Sequence, residues 1–471
     1  MEVAVRLDPA GSLAEQIYRQ LRDAVLDGRL RREEALPSSR DLAGQLKVSR
    51  NTVTAAYERL IAEGYLVGRG GAGTFVNAMP VALPDAPQLP SGSLVPRAVW
   101  PRMPIPPDYS ETPEFDFRVG APDTRLFPYT AWRRLLTSQF RQSAVGTGMP
   151  VEPAGHLGLR TLLAGHLRTA RTIETHPRDV LITSGAQQAL DLIGRVLLEP
   201  GATAVVEEPG YAPPKLVWEA QGATVIGVPV DEQGLIVEAL PPGARVVYVT
   251  PSHQYPTGVA MTLRRRVELL AWAQRHDAAI VEDDYDSEFR YTEQQLEPLH
   301  SLDRSGRVLY IGSFSKVLLP TLRLGYLIHP TSLRHALHAA KFLADWHTSL
   351  PPQAAMADFL AQGLYARHLR RVRRVYRQRH DRITAALAGP LAAHLTVVPS
   401  SAGLHLSALP RGAPTDDVLT RARAAGLGLA SYPEIAAAAP GQPGIVLGYG
   451  MIDAHRITEG LTRLRQCLDA C

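Results

Sequence analysis

Cysteine is nearly absent from this chain: there are two among 471 residues, Cys467 and Cys471, both at the C-terminal end. Two thiols so close together cannot staple a fold, which excludes a disulfide framework or a thiolate zinc cage and points to a reducing, cytoplasmic setting. Long apolar runs are also missing, and none approaches the roughly 18 residues of a membrane-crossing helix, so no membrane partner is expected. The opening MEVAVRLDPAG has neither the apolar core of a secretory leader nor the basic character of a transit peptide. No charge sign dominates: 50 Lys+Arg against 46 Asp+Glu leave a net of +4, too little to imply a nucleic-acid partner from bulk charge. The 15 histidines follow no metal-type spacing, and His335 and His338, one turn apart, read as surface residues. No metal is expected. The remaining composition, 45% hydrophobic and 20% charged, is that of a globular protein, long enough for about three domains at roughly 150 residues each.

What is present falls into blocks. Residues 1–77 read as a compact helical unit closed by a hairpin. Leu13, Ile17, Leu21 and Val25 recur every fourth residue and make one apolar helix face. Ser38, with Asp41 three residues on, and Ser49 are placed to cap a second and a third helix, the third ending near Glu63 with Gly64 beyond it. YLVGRGGAGTFV then alternates, breaks at glycines and resumes, as a hairpin does. Residues 78–113 are dense in proline and read as an extended, semi-rigid linker. From 114 the pattern alternates between strands and helices, with strand-like DVLIT (179–183), TAVVE (203–207), RVVYVT (245–250), AAIVE (278–282), RVLYIG (307–312) and RLGYLI (323–328). That alternation predicts a mostly parallel sheet with helices on both faces over residues 114–351, followed by a smaller α+β lobe over 352–471.

Polar motifs follow these strands in turn, where open α/β sheets bind ligands. After DVLIT, SGAQQAL makes a small-residue turn opening a helix, whose free amides suit a phosphate. EPGYAPP places Tyr211 where its ring could stack on a flat cofactor. AAIVE runs into DDYDSEF, and RVLYIG into SFSK. Lys316 is an amine in an apolar setting that lowers its proton affinity, as a Schiff-base lysine requires. Ser313, Ser315 and Arg323 would bind a phosphate. Asp283 would face a pyridine nitrogen and keep it protonated, and Tyr285 would hydrogen-bond a ring hydroxyl. Alone, each signal has a bland reading as a solvated strand end or a helix cap. Together, after successive strands, they point to pyridoxal 5'-phosphate (PLP).

SGAQQAL, EEPGY, PSHQYPTG, VEDDYDSEFRY and GSFSKVLLPTLRLGY stand in the order of a fold-type-I aminotransferase domain, which residues 114–471 resemble, and Asp283 precedes Lys316 by the family's spacing. Residues 12–76 resemble a GntR-type winged helix-turn-helix through LPSSRDLAGQLKVSRNTVTAAYERLIAEGYLVGRGGAGTFV. Winged helix, linker and aminotransferase-like domain together are the layout of the MocR-type transcription regulators. The resemblance implies that Lys316 bears the cofactor, with Asp283 at the pyridinium, Tyr285 at the ring hydroxyl and Tyr211 stacked on the ring. Ala186, Gln187, Ser313, Ser315 and Arg323 would form the phosphate cup. It also implies a cytoplasmic head-to-tail homodimer that binds an operator of double-stranded DNA with two half-sites.

The pattern is broken in places. Val446, in GIVLGYG, stands where aminotransferases of α-amino acids carry a carboxylate-gripping arginine. Tyr255 replaces the asparagine before PTG. Thr147 aligns with a tyrosine that reaches the partner subunit, and Pro213 stands where γ-aminobutyrate sensors have arginine. For DNA, Arg40 stands at the start of the second helix, and Ser49, Arg50, Asn51, Thr52 and Thr54 crowd the start of the third, where side chains enter the major groove. Arg69, Gly71 and their neighbours at the hairpin tip suit the minor groove. The arginine-rich stretch 367–382 reads as a solvated helix, with a second DNA-contacting surface as the alternative. The domain reads as a sensor of PLP or of an amino compound, with vitamin B6 synthesis as the controlled process. An aminotransferase, or a regulator responding to an amine or ω-amino acid, is the alternative, and residual transaminase turnover stays open.

Overall fold

The computed structural model describes residues 5–8, 11–70, 73–77, 93–105, 112–141, 152–291, 297–400, 402–437 and 443–471. Gly71, Thr147 and most of the 78–113 stretch lie outside the described residues. The chain divides into two compact units, Met1–Pro96 and Arg97–Cys471.

The first unit holds three helices, α1 (Leu13–Leu26), α2 (Ser39–Leu46) and α3 (Arg50–Ala62), and a small sheet of β1 (Ala35–Leu36), β2 (Leu66–Arg69) and β3 (Gly73–Val76) in the order β1-β3-β2. Each helix begins on a serine. Ser12, Ser38 and Ser49 accept from the backbone N–H groups of Glu15, Asp41 and Thr52, which supplies a partner for one orphan amide at each start. After α3 the chain turns at Gly64, whose φ of +81° is open to glycine at little cost. Ile17, Leu21 and Val25 of α1 meet Leu42, Val53, Tyr57, Leu60, Leu66 and Val76 in a core of the unit's own.

The second unit is built on an eight-stranded sheet of β4 (Val180–Thr183), β5 (Thr203–Glu208), β7 (Thr224–Asp231), β8 (Gly234–Leu235), β9 (Ala244–Val249), β10 (Ala279–Asp284), β11 (Val308–Ser313) and β12 (Gly325–Ile328). A two-residue strand, β6 (Gly210–Tyr211), pairs separately with β16 (Ala436–Ala437). The sheet order is β4-β12-β11-β10-β9-β5-β7-β8. The pairs β11/β10, β10/β9, β9/β5 and β5/β7 are parallel, whereas β12 runs antiparallel to both β11 and β4. The six strands read from the sequence are all present. β7 escaped that reading because it lies near the sheet edge with a half-exposed pattern that lacks a continuous apolar run.

The central strands are buried on both sides, and successive residues divide between two layers. Val205, Val247, Ile280 and Val308 pack with Leu269 and Trp272 of one helix (Leu263–Arg275). Ala204, Val206, Val246, Val281 and Leu309 pack with Leu190 and Ile193 of another (Ala186–Leu197) and with Trp218. Full burial of one such aliphatic side chain is worth about 1.5–3 kcal/mol, so the sheet centre contributes substantially to the stability of this unit. A third cluster joins the β4/β12 side to a long helix (Leu364–Ala388) and a smaller antiparallel sheet of β13 (Leu395–Val397), β14 (His405–Pro410), β17 (Ile445–Gly448) and β15 (Ala430–Ser431). The long helix corrects the reading of the arginine-rich stretch in one respect. Arg379 is buried and ion-paired with Asp123 at 2.5 Å, and donates to the carbonyls of Tyr449 and Gly450, while Arg367, Arg370, Arg371 and Arg374 are exposed. Ahead of this unit's core, Arg97 donates to the carbonyl of Ala220 at 3.3 Å. Among the described residues no helix is long and apolar enough to cross a membrane.

Candidate functional site

Lys316 follows β11, within electrostatic reach of Asp283 and Asp286 at and after the end of β10. Its Nζ donates to the carbonyl of Gly120. Burial holds the amine below the ordinary lysine range, against the opposing pull of Asp286 and Asp283. Asp283 is the last residue but one of β10 and is buried at 3% exposure. One of its oxygens, Oδ2, accepts from Tyr248 Oη at 2.8 Å, whereas Oδ1 has no hydrogen-bond partner among the described residues. Burial raises this carboxyl to about 7. An unsatisfied buried carboxylate oxygen calls for a donor, and a protonated ring nitrogen is one.

Groups of the kind that hold a phosphate lie on the neighbouring turns. The helix Ala186–Leu197 begins at Gly185 without a side-chain cap, so its leading amides, those of Ala186 and Gln187 among them, lack an intrahelical acceptor. Arg323, in the left-handed region at φ +48°, is exposed and donates to the Ser184 carbonyl at 2.7 Å. A Cβ on Gly185 would sit 3.3 Å from that guanidinium, so the glycine keeps the approach open. Ser313, at the end of β11, accepts from the Ser315 amide at 3.1 Å. Tyr211 is half-buried at the start of the next helix (Ala212–Gln221), edge-on to Tyr255 with ring centroids 5.6 Å apart. Tyr285 follows β10, and its hydroxyl lies 3.0 Å from His253 Nδ1.

The cofactor residues named from the sequence stand at or just beyond the ends of β10 and β11 and on the turns after β4 and β5, and their chemistry suits pyridoxal phosphate. The orphaned carboxylate oxygen could accept from a protonated ring nitrogen, the uncapped helix start and the arginine could take a phosphate, and Lys316 offers a desolvated amine. Sequence reasoning missed several supporting residues. Tyr248 was hidden inside an apolar strand run. Lys341, fully buried, donates to Gln188 Oε1 at 2.7 Å, and that oxygen also accepts from the Ser184 amide, which braces the phosphate turn. His253, Asp286 and His405 are brought together in one buried cluster, although the PSHQ and DDYD motifs had already marked the first two.

In the first unit, Arg40, Arg50 and Asn51 are exposed at the starts of α2 and α3. Ser49 and Thr52 are engaged with each other at 2.8 Å and in the α3 cap, and Thr54 is half-buried. Arg69 is paired with Glu33 and lies 4.8 Å from the centre of the Phe75 ring.

Two family models match the chain: bacterial regulatory proteins of the gntR family over residues 13–76, and aminotransferase class I and II over residues 116–444. A probable rhizopine catabolism regulatory protein, MocR, of Rhizobium meliloti is 37% identical over 96% of this chain and 92% of its own length. The chain belongs to the MocR-type transcriptional regulators. An HTH-type pyridoxine biosynthesis regulator, PdxR, of Corynebacterium glutamicum is 34% identical over 96% of this chain and 95% of its own length. Among solved structures, kynurenine aminotransferase of Pyrococcus horikoshii, in complex with PMP, matches with a TM-score of 0.69 at 29% identity, covering 75% of this chain and 90% of the enzyme. The α-aminoadipate aminotransferase LysN of Thermus thermophilus, complexed with a phosphopyridoxyl-leucine, matches at 0.68 and 30% identity over 75% of this chain and 92% of its own. This MocR-type chain therefore joins a gntR-family DNA reader to a fold-type-I aminotransferase domain.

Proposed function

We infer that this regulator senses pyridoxal phosphate itself, held at Lys316, and that operator binding by the first unit responds to its presence. The observation that carries the reading is Val446. It lies fully buried in β17, opposite Ser407 and Ala430, and by the resemblance it takes the position of the arginine that grips a substrate's carboxylate in aminotransferases. A valine offers that carboxylate no partner, and burying a charge without one is costly. Tyr255, in the place of the usual asparagine, adds a second loss. The cofactor constellation is complete without either group.

When bound, pyridoxal phosphate supplies an aldehyde for the Lys316 amine and an electron-accepting ring. The chain's own residues hold and orient it. Asp283 keeps the proton on the ring nitrogen, Arg323 and the amides of Ala186 and Gln187 take the phosphate, Ser313 and Ser315 line the same cup, and Tyr211 covers the ring. Control of vitamin B6 synthesis is the process such a sensor suits, and the similarity to a pyridoxine biosynthesis regulator supports it. An amine or ω-amino acid effector is the second reading: an amine brings no carboxylate, and an ω-amino acid would need a cation from some place other than Val446 or Pro213.

The deciding experiment measures operator affinity and footprint for the cofactor-free protein, the pyridoxal phosphate form, and that form with a panel of amino compounds. Pyridoxal phosphate alone should change one of the two. If it changes neither while one amino compound does, direct sensing is wrong. The same reading takes the active protein as a head-to-tail homodimer on two half-sites. A monomer by light scattering at micromolar concentration with cofactor bound would contradict it.

A further inference from the structure

His253 stands in the turn after β9, outside the set of residues that touch the cofactor in the reading above, yet it is bound on every side. It is 2% exposed, and its neighbour Asp286 is 1% exposed. Nδ1 lies 3.0 and 3.1 Å from the two carboxylate oxygens of Asp286 and 3.0 Å from Tyr285 Oη. Nε2 lies 3.1 Å from Ser400 Oγ. The ring of His405 lies 4.7 Å away, centroid to centroid, and burial presses that imidazole well below its ordinary range, so it adds no cation there.

The protons can be placed by chemistry. A nitrogen 3 Å from both oxygens of a carboxylate must carry its hydrogen, because two lone-pair acceptors would otherwise face each other. Nδ1–H therefore points at Asp286 and at the oxygen of Tyr285. The Tyr285 oxygen then faces a donor, and its own hydrogen is left to point elsewhere. Ser400 serves either ring state, since its hydroxyl can donate to Nε2 or, at 3.3 Å, to the Ala402 carbonyl.

We propose that His253, oriented by Asp286, is a positioning residue that fixes the Tyr285 hydroxyl as a donor to the ring oxygen of pyridoxal phosphate, stabilising that oxygen as an anion. The proposal rests on the cofactor reading of the Lys316 pocket. A metal held by His253, Asp286 and His405 is a weaker account of the same cluster. Both nitrogens of His253 already have protein partners, and His405 Nε2 bonds the Pro256 carbonyl at 3.1 Å. Two glycines fit this arrangement closely: a Cβ on Gly403 would lie 2.5 Å from Asp286 Oδ2, and one on Gly258 would lie 3.2 Å from His253 Nε2.

The test is a pH titration of the visible band of the full-length, cofactor-loaded protein. A donor on the ring oxygen favours the more negative, deprotonated form of the Lys316 linkage, so losing the donor should raise the midpoint. Tyr285→Phe should raise it by about one unit. His253→Phe and Asp286→Asn should raise it in the same direction by at least half as much, and His253→Gln, whose amide can still donate, should stay near wild type. Adding His253→Phe to Tyr285→Phe should move the midpoint no further, because the histidine acts only through the tyrosine. A midpoint unmoved by both His253→Phe and Asp286→Asn, or an additive double variant, overturns the proposal. Unmoved Tyr285→Phe overturns it as well, by removing the tyrosine from the ring. A wild-type protein that develops no visible band with pyridoxal phosphate overturns the cofactor site itself, which is a separable failure.

Discussion

Lys316 donates from Nζ to the backbone carbonyl of Gly120, 196 residues earlier in the chain. The amine on which the cofactor reading turns is therefore held by a segment that no sequence motif marked, and cofactor binding must exchange this bond for another. Lys316→Ala should keep the fold, because the side chain is half-buried and outside the apolar clusters. It should lose all borohydride-stable attachment of pyridoxal phosphate, as read by mass after reduction. A reduced adduct at full occupancy in the variant would displace Lys316 from its role.

The DNA reader yields a second expectation. Arg50 and Arg40 are exposed at the starts of α3 and α2, and Arg50 reaches Ser39 at 3.4 Å. Arg50→Ala should reduce operator preference by about 10- to 100-fold, the worth of a good base contact of ~1–3 kcal/mol. Arg40→Ala should weaken binding to all sequences and make its salt dependence shallower. Gel shift at two salt concentrations checks both, and unchanged affinity in both variants would remove this face from DNA.

The buried carboxyls set a pH dependence. Asp283 titrates near 3.8 when unfolded and at about 7 in the folded chain, and burial drives Glu207, Glu282 and Glu288 to about 7 as well. Between these values the folded state holds more protons than the unfolded one, so stability falls as pH rises from about 4 to 7. Asp283→Asn removes one such group. In the cofactor-free protein its denaturation midpoint, relative to wild type, should improve from pH 5 to pH 8. The shift is on the order of 1 kcal/mol per unit of pKa displacement. A difference that shrinks with rising pH would contradict the assignment.

Gly403 is a packing prediction. Its φ is +84°, and a Cβ there would meet His253 Cε1 as well as Asp286. Gly412 has a similar φ of +78° but open space around it. Gly412→Ala should cost about 1 kcal/mol for the backbone alone, and Gly403→Ala a further ~1–3 kcal/mol for the clash. Urea denaturation separates the two, and equal losses would mean that the cluster yields.

Much of this was legible because the chemistry follows the strands. Asp283 and Lys316 each stand just past an apolar run, so periodicity located the strand and the strand located the residue, while Arg323 opens the run RLGYLI seven residues after Lys316. The Ser38 and Ser49 caps were readable for the same local reason, whereas Ser12 was not singled out. What was hidden is what depends on distant pairing. Nothing near Tyr248 says that its hydroxyl meets Asp283, because a tyrosine inside RVVYVT is explained by burial alone. The antiparallel course of β12 is invisible to a pattern that reports strand and not direction. His253, Asp286 and His405 come together only because β9, β10 and β14 end near one another. Arg379 looked like its solvated neighbours, and its burial against Asp123 follows from the packing of the long helix, to which composition is blind.

The excursion between β11 and β12 is pinned where Ser313 stands opposite Gly325, and it carries both Lys316 and Arg323. A ligand that takes the amine with one end and the guanidinium with the other acts as a cross-brace on a single short loop. That loop is no surface flap. Phe314, Val317, Leu318 and Leu324 anchor it in the same cluster as Tyr365 and Val372 of the long helix, and His368 of that helix meets the Val317 carbonyl at 2.7 Å. The loop that would carry both ends of such a ligand is thus joined on its far side to a 25-residue helix.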